Sequence, residues 1–210
     1  DISCSLNADF TGNNIDNLEG SITLDSLSFK TKPDTFFLKK LKVEATGHSL
    51  NRHLTITSDV LNGEVTGAYS FTTIVPSFMQ TLKGYVPALI NVTQKKQKVM
   101  ENNFSLLLTI ENTEVISNTL KLPFTMLNQG RITGHYNNQY NRFRFEAYLP
   151  KFNIGKSMFE SGYLTCDNPE DKVNSKLKAT NYNAKGLRNY MDLKVDAKDN
   201  QIKTLSLIHI

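Results

Sequence analysis

The sequence predicts an all-β protein with one short amphipathic helix, and three observations predict it. Composition is the first: 22 Asn and 20 Thr stand against 8 Ala, a balance that disfavours helix and suits polar-faced strands joined by turns. The second is period-two alternation of apolar and polar residues along almost the whole chain. The third is number. Roughly a dozen such segments occur within 210 residues, too many for one small flat sheet, so the sheet must curl, fold over or split. Hydrophobic residues make up 39% of the chain and mean hydropathy is -0.35, which argues against a membrane-spanning helix and against wholesale disorder.

Taken in order, Ile2, Cys4, Leu6, Ala8 and Phe10 share one face of the first strand. An Asn-rich turn at 13–17 precedes a second strand from Gly20, in which Leu24 and then Leu27 and Phe29 are apolar; the change of parity between Leu24 and Leu27 requires a bulge or a bend. Pro33-Asp34 ends it, and Phe37, Leu41, Val43 and Ala45 carry the third. Leu54 and Ile56 alternate with Thr55 and Thr57 in a fourth, and Val65, Gly67, Tyr69 and Phe71 mark a fifth.

One segment has the other period. Val75, Phe78, Met79, Leu82 and Val86 recur at helical spacing, with Pro76 suited to a first turn behind Thr72 or Thr73. The spacing predicts a helix over about 76–88 that lays Phe78, Met79 and Leu82 on the sheet. A polar, basic stretch over about 91–102 reads as a mobile loop. Strands then resume through Phe104 to Ile110, Leu120 to Phe124, Arg131 to Tyr136, Phe143 to Leu149, Met158 to Cys166, Val173 to Ala179, Leu193 to Ala197 and Ile202 to Ile210. The stretch Val60 to Tyr69 echoes Met126 to Tyr136, so residues 1–210 read as one repetitive β module.

Chemistry is sparse. The net charge of +4 comes from dispersed Lys and Arg, too mild and too scattered to indicate nucleic acid. His48 and His53 flank Asn51 and Arg52, with no anionic ligand to complete a metal site, and His135 lacks Ser or Cys spacing for a triad. Asp9, Asp25 and Glu64 read as solvent-facing members of strands. Cys4 and Cys166 occur in unrelated contexts, and a disulfide between them would need an oxidising compartment. No enzyme activity, cofactor or metal is expected. The opening at Asp1, without Met or a leader-like stretch, reads as the start of a mature or excised piece.

The stretches Asn17 to Phe29, Phe36 to Val43, Leu54 to Gly67, Val75 to Phe78 and Leu127 to Tyr136 resemble the TamB family of Bacteroides-like Gram-negative bacteria, within the wider AsmA-like superfamily. The resemblance implies a section of a periplasmic protein anchored in the inner membrane and reaching the outer membrane. It implies an elongated, curled sheet of the β-taco type with an apolar groove, in which Leu24, Leu54, Ile56, Val65 and Ile132 line the interior. The partners it implies are phospholipid acyl chains, neighbouring repeats of the same chain, and an outer-membrane assembly protein of the BamA or TamA type.

The alternative is a closed core beneath a structural or adhesive β surface that binds protein or glycan. The two differ in where the apolar faces go. A lipid groove needs no special binding residue, since withdrawing a sixteen-carbon chain from water is worth on the order of 12 kcal/mol.

Overall fold

The computed structural model describes residues 2–30, 35–48, 50–90, 100–182 and 186–209. Thirteen strands and two α-helices follow in the order β1 (Ile2–Thr11), β2 (Glu19–Lys30), β3 (Thr35–Thr46), β4 (Arg52–Ser58), β5 (Leu61–Ala68), α1 (Ile74–Lys83), β6 (Asn103–Ile110), α2 (Glu114–Leu120), β7 (Phe124–Met126), β8 (Gly130–Asn137), β9 (Arg142–Ile154), β10 (Ser157–Asp167), β11 (Val173–Tyr182), β12 (Arg188–Lys198) and β13 (Gln201–His209). All pair antiparallel in one sheet, neighbours in sequence being neighbours in space, except that three-residue β7 pairs only β9 and leaves β6 beside β8. Among the described residues β1 and β13 do not pair, so the sheet is elongated and open rather than a barrel.

Two bends keep the apolar side chains on one face. Ser26 in β2 and Ser161 in β10 hold left-handed φ values of 56° and 53°. Each sits where the residue parity of a hairpin changes: Leu24 opposes Leu41 before the first bend and Leu27 opposes Leu38 after it. The bulge or bend expected between Leu24 and Leu27 is present as a register shift against β1, where Ser3 opposes Ser28 and Ser5 opposes Asp25. The partner strand changes parity as well, so Leu38 is buried while Phe37 is 51% exposed, which corrects the sequence placement of Phe37 in the apolar row.

The helices depart from expectation in two ways. α1 begins at Ile74 and ends at Lys83, five residues short of the predicted end, and the chain continues through a turn. A second helix, α2, forms over Glu114–Leu120, where no helix was expected; it takes in Leu120, the first residue of the expected strand, and Leu120 and Leu122 are exposed, so that strand is reduced to Phe124–Met126. Of the loop predicted over 91–102, residues 91–99 lie outside the described residues. Its last residue, Asn102, is 0% exposed and so is a fixed point.

Residues 70–88 form a strap along the rim where the β1–β2, β3–β4, β8–β9, β10–β11 and β12–β13 turns lie. At its start Thr72 and Ser70 hydroxyls donate to Asp16 in the β1–β2 turn, Thr72 Oγ1 at 2.5 Å. Ser70 N–H donates to Asn102 Oδ1 at 3.0 Å, and Asn102 Nδ2 donates to Thr73 and Ser77 hydroxyls. Thr81 Oγ1 lies 3.0 Å from Tyr136 Oη, and the Tyr85 hydroxyl accepts from Asn168 Nδ2 in the β10–β11 turn at 2.7 Å. At its far end Asn200 N–H, in the β12–β13 turn, donates to Tyr85 O at 2.9 Å, and Ala88 N–H donates to Asn200 Oδ1.

The strap bends the sheet. Between the first and last of these turns the sheet contour covers ten strand spacings, about 48 Å at about 4.8 Å each. Thr72 to Tyr85, mostly helical, spans at most about 27 Å, and side-chain reach at the two ends adds about 10 Å. The chord is shorter than the contour, so this rim is an arc. Because α1 lies on the apolar side, that side is concave.

Asp16 reports on the strap. Burial raises its pKa, but hydrogen bonds from Thr72 and Ser70 outweigh that and hold it below the ordinary 3.8. A depressed carboxyl contributes stability above its unfolded pKa and loses it as pH falls through the folded one. Asp16→Asn should therefore lower Tm at pH 7, and the gap to the unaltered chain should close as pH drops below about 3.8, measured by thermal melts across pH 2–7.

Candidate functional site

The concave face carries a continuous apolar row. Ile22 opposes Val43, Val43 opposes Ile56, and the row continues through Gly63, Leu108, Ile132, Ala147, Leu164 and Leu177 to Leu193, crossing ten strands without a polar side chain. A second row runs beside it through Ala45, Leu54, Val65, Leu106, Gly134, Phe145 and Cys166. On the opposite face the intervening row reads Ser21, Glu44, Thr55, Glu64, Leu107, Thr133, Glu146, Thr165, Lys176 and Lys194. Only Leu107 is apolar there. Strict alternation in matched register sorts the two faces across these ten strands; in β13 it reverses, Leu205 and Leu207 sharing the face of Lys194 and Asp192.

Glycine fits large neighbours into the concave surface. A Cβ on Gly63 would lie 2.4 Å from Leu108 Cδ2, and one on Gly134 2.3 Å from Phe145 Cδ1. The leucine and phenylalanine therefore lie across their glycine partners and keep the row continuous.

The concave face is not sealed. Leu24, Leu54, Ile56, Val65 and Ile132, the five sequence-predicted positions, are all only part-buried, as are Leu106, Leu108, Leu164, Leu177 and Leu193. The largest buried cluster lies at the strap end, where Tyr69, Phe104, Tyr136 and Phe143 form a core against which Phe78 and Leu82 of α1 pack; Met126 and Phe152 are buried at the opposite rim, and Ala45 and Ala147 within the rows. The Phe78 ring makes edge contacts with Tyr136, Phe143 and Phe145 at 5.5, 5.3 and 5.7 Å between centroids. Met79, expected to dock with them, is 36% exposed, because it stands one residue round the helix from Phe78. At the other rim α2 lies against β3, and Phe124 and Met126 of β7 pair with β9. The result is an apolar trough with a helix at each rim.

Titratable groups are scarce on this surface. Cys166 is free and its thiol is pushed up by burial, an unreactive state. Cys4, also free, is exposed on β1. His48 pairs with Glu19 at 2.8 Å and His53 with Glu64 at 3.5 Å, two separate surface contacts. No group of metal-ligating residues occurs among the described residues. Asp9, Asp25 and Glu64 are exposed, as expected. Arg52 was not marked by sequence reasoning, yet it lies on the concave face in register with Leu54 and Ile56 and is 5% exposed. A charged residue in an apolar strand position was the available signal.

Comparison with family models, with curated proteins and with solved structures finds no match.

The docking face of α1 can be tested by substitution. Phe78→Ser with Leu82→Ser should cost about 2–4 kcal/mol of unfolding free energy in urea, whereas Met79→Ser should cost less than about 0.5 kcal/mol.

Proposed function

We propose that this chain is a section of a lipid-conducting scaffold, with acyl chains of phospholipid lying in the trough and passing to adjoining sections. The observation that carries the reading is the unbroken, part-exposed apolar row from Ile22 to Leu193. A surface of this kind binds alkyl chains through area alone, about 0.8 kcal/mol per methylene. It favours no one position along its length, so a chain leaving one section for the next changes little in free energy. Directionality then comes from outside this chain.

The setting follows from the resemblance to the TamB family: the periplasm, as part of an inner-membrane-anchored protein that reaches the outer membrane and supports protein assembly or secretion there. An outer-membrane protein of the BamA or TamA type is the proposed partner at that end. The open ladders of β1 and β13 are where neighbouring repeats would extend the sheet. The role is non-enzymatic.

The test places a photoreactive amino acid at position 56 or at position 57, which alternation sends to opposite faces, in the full-length protein in cells. Strong phospholipid capture at 56 and little at 57 is expected. Absence of capture at 56, and equally at 54, 65 and 132, in a correctly folded protein would contradict conduction and leave a structural module.

A further inference from the structure

Arg52 is a buried cation without a counter-ion. Its side chain lies on the concave face at the strap end, where Nη1 donates to Tyr69 O at 2.8 Å. The guanidinium carbon stands 4.6 Å from the centre of the Tyr69 ring and 5.2 Å from that of Phe71. Nη2 is buried and has no hydrogen-bond partner, and the hydroxyl of Tyr69, a residue only 4% exposed, is in the same condition. Among the described residues no carboxylate pairs with Arg52. Asp16, the acid on the neighbouring turn, is already bound by Ser70 and Thr72.

Such an arrangement is costly. An unpaired buried guanidinium loses hydration, and two ring faces offset only part of it. An unsatisfied phenol beside it adds a second desolvated group. Both orphan atoms can donate: burial raises the Tyr69 pKa, the Arg52 charge opposing, so the hydroxyl keeps its proton. What would satisfy them is an anionic oxygen group. Leu54, two residues along the same face from Arg52, and Val65, opposite Leu54, begin the trough surface that an attached alkyl chain would need.

We propose that Arg52 Nη2 and Tyr69 Oη form a site for the anionic head of an amphiphile, a carboxylate or phosphate, whose alkyl chain lies along Leu54, Val65 and Leu106. This rests on the trough binding alkyl chains. Entry requires Phe71, part-exposed in the turn before α1, to swing off the guanidinium. The site gives an otherwise uniform trough one position at which a head group is held.

Equilibrium dialysis of the chain against labelled palmitate, labelled hexadecanol and inorganic phosphate tests it. The unaltered chain should bind palmitate at least about tenfold more tightly than hexadecanol, the scale of one charge-assisted hydrogen bond. Arg52→Met should bind hexadecanol unchanged and lose the preference. It should also fold, because a methionine removes the unpaired charge while keeping most of the volume. Tyr69→Phe deletes only the orphan hydroxyl and should weaken palmitate alone, which keeps the test open if Arg52→Met misfolds.

Equal binding of palmitate and hexadecanol by the unaltered chain would overturn the head-group site while leaving the trough reading intact. Binding of neither would overturn both. Phosphate binding that depends on Arg52 but does not compete with palmitate would make the site one for a free anion and overturn the amphiphile.

Discussion

Everything about the shape of this molecule depends on one constraint, the hydrogen-bonded strap of residues 70–88 that ties the β1–β2 turn to the β12–β13 turn. An antiparallel sheet of thirteen strands left to itself twists but has no reason to become concave on a chosen face. Here Asp16 holds one end of the strap and Asn200 the other, while Asn102, Tyr136 and Asn168 fix points between them. The strap is shorter than the contour it spans. Its α-helix supplies Phe78 and Leu82 to the only extensive buried aromatic cluster among the described residues, so the same segment sets the curvature and anchors it in a core.

The curvature matters because of how the faces are sorted. In a closed sandwich the rows through Ile56 and Val65 would meet a second sheet and be buried. Here, among the described residues, no second sheet covers them: the row through Val65 packs against the aromatic cluster at the strap end, the row through Ile56 stays mostly part-exposed, and the largest side chains are buried at the strap end and at the α2 and β7 rim. The largest buried side chains and the part-exposed apolar surface thus occupy different parts of the strands. The middle of each strand is free to carry a uniform apolar surface, while the ends carry the turns, buried amides and aromatic contacts that hold the sheet in shape. Arg52 stands at the strap end of the concave face, where its unpaired charge does not interrupt the row through Ile56.

Much of this was legible in the sequence. Alternation placed Leu24, Leu54, Ile56, Val65 and Ile132 on one face and their threonine neighbours on the other, because period two needs no knowledge of the partner strand. The bulge after Leu24 could be read from parity alone. The shift in β3 could not: Phe37 and Leu38 are both apolar, and only the pairing with the bent β2 decides which points inward. The helix over Glu114–Leu120 escaped because a seven-residue segment containing Val, Ile, Asn and Thr carries little helical propensity, and it is held by the Ser117 hydroxyl donating to Phe124 O and the Thr113 contacts with Met126. Asn102 looked like the end of a polar loop, since a buried hub and an exposed loop residue have the same letter. The curl itself was expected from strand number, but its cause lies in contacts between residues 54 to 112 positions apart.

The most direct test is the distance between the two turns that the strap joins. Spin labels at Ile15→Cys and Gln201→Cys, with Cys4 and Cys166 replaced by Ser, would report it by double electron–electron resonance in solution. A sheet drawn into an arc by the strap should give a narrow distribution centred, once the label arms are subtracted, at or below about 37 Å. A distribution centred near the straight contour of about 48 Å, or one too broad to have a centre, would contradict the account, because the apolar face would then be neither concave nor held.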